Sequence, residues 1–244
     1  MLSIVNQTYQ NFELIIIDDG STDKTSDIIK KFIDNNKSFD IQNFYIQNSG
    51  LASARNFAIN KARYTWIAII DHDDLCLPNR LQIHFDQIYD NPNSKLFFAN
   101  TIHFNDLGHQ IRKNFDIFDM KKIKLSKGYA SQSLLKEGCF IDSESVVFNK
   151  DAAIEVGKFK ERLLYIADYE FFIRMGAKYD FSYSEAIVSK WRVHEKQATQ
   201  ILSKVYKKEY LYLLLLYIFK KNSFKLKIFL SVRFLKEIVK IFIK

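Results

Sequence analysis

Residues 66–78, WIAIIDHDDLCLP, place three carboxylates, Asp71, Asp73 and Asp74, directly after five mostly apolar residues, Trp66 to Ile70. An apolar run of that length predicts a short strand buried on both faces, so the carboxylates fall where the strand leaves the core. Asp71 and Asp73, two positions apart, can turn their oxygens onto one hard divalent cation, which would neutralise like charges that otherwise repel. The alternative is a solvated polar turn, because an Asp-x-Asp triplet alone is common.

The elements around this stretch alternate. Glu13 to Ile17 reads as a buried strand ending in Asp18-Asp19-Gly20-Ser21-Thr22-Asp23, and Ser26 to Ile33 carries apolar residues at helical spacing, with Thr22 or Asp23 able to cap it. Ile41 to Ile46 is a second strand, Asn48-Ser49-Gly50 a turn, and Leu51 to Ala62 a helix. Strand, helix, strand, helix, strand at short spacing implies right-handed crossovers and a mostly parallel sheet, with ligands at the carboxyl ends of its strands. Asp18-Asp19 and Asp71-His72-Asp73-Asp74 both fall at such ends and are expected to face one crevice. Further on, a helix from Pro78 to Tyr89, a strand from Ser94 to Phe104, short elements at 145–148 and 152–157, a helix from Tyr169 to Tyr179 and a strand from Phe181 to Trp191 follow. The segment from Gln110 to Ser143 shows no single periodicity.

Length and composition limit the function classes. With 244 residues, 48% hydrophobic and 15% aromatic, the chain suffices for one sizeable core with a tail. Cys76 and Cys139 lie far apart without paired spacing, which predicts two buried thiols and a reducing compartment rather than a disulfide framework. No charged segment followed by an apolar run opens the chain, so a cytoplasmic product is expected. The net charge of +8 is uneven: residues 204–244 hold 11 Lys and Arg against 2 acids, a balance of +9, so residues 1–203 sum to −1. A neutral body argues against nucleic acid as the partner.

Taken together, Asp18-Asp19-Gly20-Ser21-Thr22-Asp23, Asn48-x-Gly50-x-x-x-x-Arg55-Asn56, Ile70-Asp71-His72-Asp73-Asp74, Asp168-Tyr169-Glu170 and Trp191-Arg192-Val193-His194 resemble, in order and spacing, the family 2 glycosyltransferases of the GT-A fold. The resemblance covers about residues 3–203. It implies a Rossmann-like α/β domain over residues 1–203 with a helical tail at 204–244. It also implies inverting transfer of a sugar from a nucleotide-diphosphate donor to an acceptor hydroxyl, with Mg or Mn as cofactor. Such a transfer needs the charge growing on the leaving diphosphate to be met, which is what a cation held by Asp71 and Asp73 would do.

Residue by residue, the resemblance makes Asp73 the direct metal ligand and lets Asp71 bind the ribose, or the metal through water. Asp19 would accept a hydrogen bond from the donor's base, with Asp18 or Ser21 lining the same pocket. Arg55 would meet the base or the diphosphate, for which its planar fork of donors is suited. Asp168 would be the general base, and His194 would ligate the cation or a phosphate oxygen. Each has a plainer reading: Asp18 capping its turn, Arg55 a surface helix charge, Asp168 a helix cap, His194 a structural imidazole. His72 sits in a slot more often small, and Ala167 replaces a frequent Glu.

The resemblance further implies a strand and loop ahead of the equivalent of Ser3 to Tyr9, so a sheet short of one strand and a weakly soluble or weakly active form are expected. In the tail, Leu211 to Phe219 is nine apolar residues, short of the about 20 that a membrane-spanning helix needs. Ile228, Val232, Leu235, Val239 and Phe242 repeat at helical spacing with Arg233, Lys236, Lys240 and Lys244 on another face. That pattern suits an anionic membrane surface or packing against protein. The reading is a glycosyltransferase of surface polysaccharide or lipopolysaccharide synthesis, peripheral on the inner face of the membrane, with a glycan or lipid-linked acceptor. The alternatives are a catalytically inactive nucleotide-binding or membrane-attached partner, and a nucleotidyltransferase, which would need a Gly-rich phosphate loop absent near the first strand.

Overall fold

A computed structural model describes residues 1–195, 197, 201–220 and 223–242, without the side chains of residue 203 and residues 240–242. The helices are α1 (Leu2–Val5), α2 (Thr25–Asn35), α3 (Leu51–Lys61), α4 (Arg80–Asp90), α5 (Tyr129–Glu137), α6 (Lys150–Glu155), α7 (Ala167–Lys178), α8 (Ser203–Phe219) and α9 (Phe224–Phe242). The strands are β1 (Leu14–Asp19), β2 (Ile41–Ile46), β3 (Trp66–Ala68), β4 (Leu75–Cys76), β5 (Leu96–Asn105), β6 (Gln110–Lys113), β7 (Val147–Asn149) and β8 (Phe181–Val193). The α/β class is the expected one, and α5 and β6 emerge from the stretch that had no clear period.

The strands form two sheets. β1 and β2 pair in parallel, Leu14 opposite Ile41 through Asp19 opposite Ile46. The second sheet runs β3-β7-β5-β8-β4 with β6 on β5. Only β5 and β8 are parallel there, so the pairing is mixed rather than mostly parallel. β5 has the apolar run Leu96 to Ala99 without exposed surface, as a strand with neighbours on both edges should.

β1 and β3 differ from the expected buried strands. Leu14 to Ile17, Trp66 and Ile67 are half-buried and Ala68 is exposed. Each strand has one neighbour, β2 or β7, and among the described residues its other edge carries no strand partner. The two strand starts are held together by Glu13, whose carboxylate accepts the N–H groups of Arg63 at 2.7 Å and Tyr64 at 3.1 Å and the Nε–H of Arg63 at 2.9 Å.

One hydrophobic core joins β5, β7, α5 and α7 to the tail: Tyr210, Leu213, Leu214, Tyr217, Leu226 and Leu230 are buried in it. The division at residue 203 is thus one of charge pattern, not of packing. Gly176 lets α7 meet α5, since a Cβ there would lie 2.8 Å from the Ser131 nitrogen and 2.9 Å from the Ala130 Cβ. Buried Arg80 donates to the carbonyls of Ile69 at 2.7 Å and Val146 at 3.2 Å and to the Cys76 Sγ at 3.1 Å, fixing the ends of β3, β7 and β4 together. Cys76 is buried and Cys139 half-buried, and both are free thiols.

Candidate functional site

The turn after β1 packs on the turn before α3. Gly20 has φ +78°, and a Cβ on it would lie 2.7 Å from the Asn48 nitrogen, so the sequence needs glycine here. Asp19 holds the second turn, accepting from the Ser49 N–H at 2.8 Å, the Ser49 hydroxyl at 3.2 Å and the Gly50 N–H at 2.9 Å. Asp18 accepts from the Ser21 N–H and the Ser26 hydroxyl, each at 2.9 Å, and is buried. Burial opposes its ionisation, but these hydrogen bonds outweigh it and leave the pKa below the usual carboxylate value. The plainer expectation for Asp18, a turn cap, matches this geometry. Ser21 is half-buried beside it.

Arg55 sits on α3 with 8% exposure, so it is not a surface helix charge. Its Nη2 donates to both oxygens of Asp71, at 2.8 and 3.1 Å, and its Nη1 donates to Oδ1 of Asp168. Burial alone would lower its proton affinity; the charges of Asp168 and Asp71 outweigh that and raise it. Next to it, Asn56 donates to the Phe159 carbonyl at 3.0 Å and to Glu161 at 2.9 Å and accepts from the Phe159 N–H at 2.9 Å. The Arg55-Asn56 pair therefore grips the segment that leads into α7. Asp168 lies in the first turn of α7, whose N-cap is Ile166 without a side-chain cap bond. It is not the cap, and among the described residues its Oδ2 has no hydrogen bond.

Beyond β3, Asp73 Oδ2 lies 3.0 Å from His194 Nε2, across 121 positions of sequence. His72, 97% exposed, points to solvent. Asp74 is buried and accepts from the Arg192 N–H at 2.8 Å; burial and then the charges of Asp71 and Asp73 push its pKa up to about 8. The structure thus brings Asp71, Asp73, His194, Arg55 and Asp168 to one end of β3, while Asp18 and Asp19 stand at the end of β1 with their oxygens engaged by turns.

A cation would find one carboxylate and one imidazole in Asp73 and His194, with Asp71 committed to Arg55. Among the described residues no three His, Cys, Asp or Glu side chains converge as a full set of ligands. That donor set suits an ion that takes a few protein ligands and completes its shell with water and substrate phosphates.

Three residues escaped the sequence reading. Buried His103 of β5 meets Asp142 at 2.9 Å through Nε2, takes a bond from Arg112 Nε at 3.2 Å and packs edge-on against Trp191. Glu144 is buried with Oε1 lacking a hydrogen bond among the described residues. Burial and the charges of Asp142 and Asp74 raise its pKa far above the usual carboxylate value. Their signal was a pair of acids, Asp142 and Glu144, between the apolar pairs Phe140-Ile141 and Val146-Val147.

The model of the family described as glycosyl transferase family 2 matches residues 1–157. An uncharacterized glycosyltransferase of Rickettsia typhi is 30% identical over 204 residues, 81% of this chain and 59% of that protein. The Escherichia coli protein WfaP, a UDP-Glc:α-D-GlcNAc-diphosphoundecaprenol β-1,3-glucosyltransferase, is 41% identical over 99 residues, 40% of this chain and 36% of its own. Among solved structures, Staphylococcus aureus TarS 1–349 in complex with UDP-GlcNAc superposes with a TM-score of 0.72 at 16% identity, covering 97% of this chain and 66% of that one. The mannosyltransferase PcManGT of Pyrobaculum calidifontis, in complex with GDP-Man and Mn2+, gives 0.70 at 14% identity, covering 95% and 63%. The chain thus spans about three fifths of the Rickettsia relative's length, and its fold is that of GT-A glycosyltransferases. With 157 of its residues matched, the chain belongs to glycosyl transferase family 2.

Proposed function

We propose that this chain transfers a sugar from a nucleotide-diphosphate donor to an acceptor hydroxyl with inversion, using a divalent cation, Mg or Mn. The observation that carries the reading is the meeting of Asp73 with His194, and of Asp71 and Asp168 with Arg55, at the end of β3. Asp73 and His194 would hold the cation, which when bound supplies positive charge to the leaving diphosphate. Asp19 and Ser21 would border the nucleotide. Arg55 fixes Asp168 through Oδ1 and leaves Oδ2 to take the acceptor proton as the acceptor oxygen bonds to the sugar and the sugar–phosphate bond breaks.

Mn2+ in the PcManGT complex supports the metal. WfaP, acting on a diphosphoundecaprenol-linked sugar, supports a lipid-linked acceptor, and a role in surface polysaccharide belongs to the same reading. A peripheral place on an anionic membrane, reached through the tail, belongs to the same reading. No helix among the described residues is long and apolar enough to cross a membrane. A second reading, a nucleotide-binding protein without turnover, is favoured by Ala167.

Titration of UDP, GDP and dTDP by calorimetry, with and without Mn, tests the proposal. Mn-dependent binding of one nucleotide, weakened tenfold or more in Asp73→Ala, is expected; binding of none would overturn the donor site. Release of nucleotide from UDP-Glc, UDP-GlcNAc or GDP-Man then separates the enzyme from the inactive binder.

A further inference from the structure

The segment just ahead of Asp168 is fastened to the C-terminal helix α8. Three consecutive backbone N–H groups ahead of α7 point at one side chain of α8: Glu209 accepts from Leu164 at 2.7 Å through Oε1, and from Tyr165 at 2.9 Å and Ile166 at 3.0 Å through Oε2. Ile166 is the N-cap of α7, it brings no side-chain cap of its own, and Asp168 follows two residues later. Carboxylate acceptors make the stronger class of backbone hydrogen bond, and a negative charge ahead of a helix N-terminus is favourable. The same segment is fastened to α8 twice more. Arg162 donates to the Tyr212 hydroxyl and lies 5.0 Å over its ring, and the rings of Tyr165 and Tyr206 stand 5.0 Å apart.

We infer that Glu209 is a positioning residue for the reaction: it sets the backbone of residues 164–166 and thereby the place of the Asp168 carboxylate opposite Arg55. The inference rests on the reading of Asp168 as the base. The tail is then part of the catalytic apparatus, in addition to any partner its outer surface has.

The test combines Glu209→Ala, Asp168→Asn and their double variant. Each is assayed for donor turnover on UDP-Glc, UDP-GlcNAc and GDP-Man and for the Kd of the nucleotide identified above with Mn. Glu209→Ala should lower kcat tenfold or more with that Kd unchanged within twofold, and the loss should vanish in the Asp168→Asn background, as two residues acting through one group require. Amide exchange over 164–170 should quicken in Glu209→Ala while the β5 amides keep their rates. Should Glu209→Ala not fold, Glu209→Gln keeps the side chain's length and removes its charge and one acceptor. A kcat within twofold of wild type, an equal loss in both backgrounds, or unchanged exchange at 164–170 would each overturn the inference. Wild-type turnover in Asp168→Asn would instead sink the base assignment, a separate failure that the same cycle reveals.

Discussion

Arg55 carries its charge between two carboxylates that are themselves only 25 to 31% exposed, Asp168 and Asp71. Removing the cation leaves like charges facing each other in a partly desolvated place, which costs about 2 kcal/mol or more. Arg55→Met should therefore lower the urea midpoint by that equivalent and abolish turnover, and Arg55→Lys should restore little, because an ammonium cannot fork between both partners. Wild-type stability in Arg55→Met would show that the bridge contributes nothing. The resemblance pointed to Arg55 as a nucleotide ligand; its partner Asp168 is 113 positions away, a distance across which residue types show no pairing. A second test concerns His84, buried with Nδ1 at 2.9 Å from Gln87 Oε1 and Nε2 without a partner among the described residues. Burial and the nearby Arg80 charge lower its pKa from 6.5 to about 3. The unfolded chain takes up this proton near 6.5 and the folded chain only near 3, so stability falls as pH drops through that window. The loss is about 2 kcal/mol between pH 6.5 and 5. Urea unfolding at both pH values should show that slope in the wild type and a shallower one in His84→Leu; identical slopes would mean the folded imidazole protonates freely.

Most elements were legible because apolar period and turn residues agree over residues 13–105 and 167–193, where each predicted helix or strand lies within a few residues of the observed one. What was not legible was the neighbour of each strand. Five mostly apolar residues at 66–70 predict burial on both faces, yet among the described residues β3 has one partner, and its half-exposed edge follows from sheet order, which local sequence does not encode. α5 stayed hidden because its helix opens after Gly128 with Ser and Gln among its apolar residues, a mixed signal that only its packing against α7 resolves. The sheet order has a measurable consequence. Amides of β1 and β3, each with one edge unpaired among the described residues, should exchange faster than those of Leu96 to Ala99 in β5 by about two orders of magnitude or more, since local openings there break fewer bonds. Hydrogen exchange read by peptide mass would check this. Equal protection would show that another segment covers both edges.

At the scale of the whole molecule, the charge division between a −1 body and a +9 tail acquires a geometry. α9 uses two faces: Leu226 and Leu230 are buried in the shared core, and Arg233 turns inward, donating to the Lys136 carbonyl at 2.7 Å. On the opposite side Phe224, Ile228, Val232, Leu235 and Val239 are exposed in one stripe, with Lys225 and Lys236 along its flank. Lys240 and Phe242 lack described side chains, and Lys244 lies outside the described residues. Packing on the body therefore accounts for one face only, and the outer stripe is the part that suits a headgroup boundary: apolar residues buried at about 25 cal/mol per Å2, and lysines each worth about 1 kcal/mol near an anionic leaflet. The protein should sediment with vesicles containing anionic lipid and much less with zwitterionic ones, and the binding should weaken with salt. Val232→Glu with Leu235→Glu, both on exposed positions, should reduce sedimentation tenfold or more while leaving nucleotide binding intact. If the double variant sediments as the wild type does, the outer face of α9 is not what meets the membrane, and the basic charge acts elsewhere.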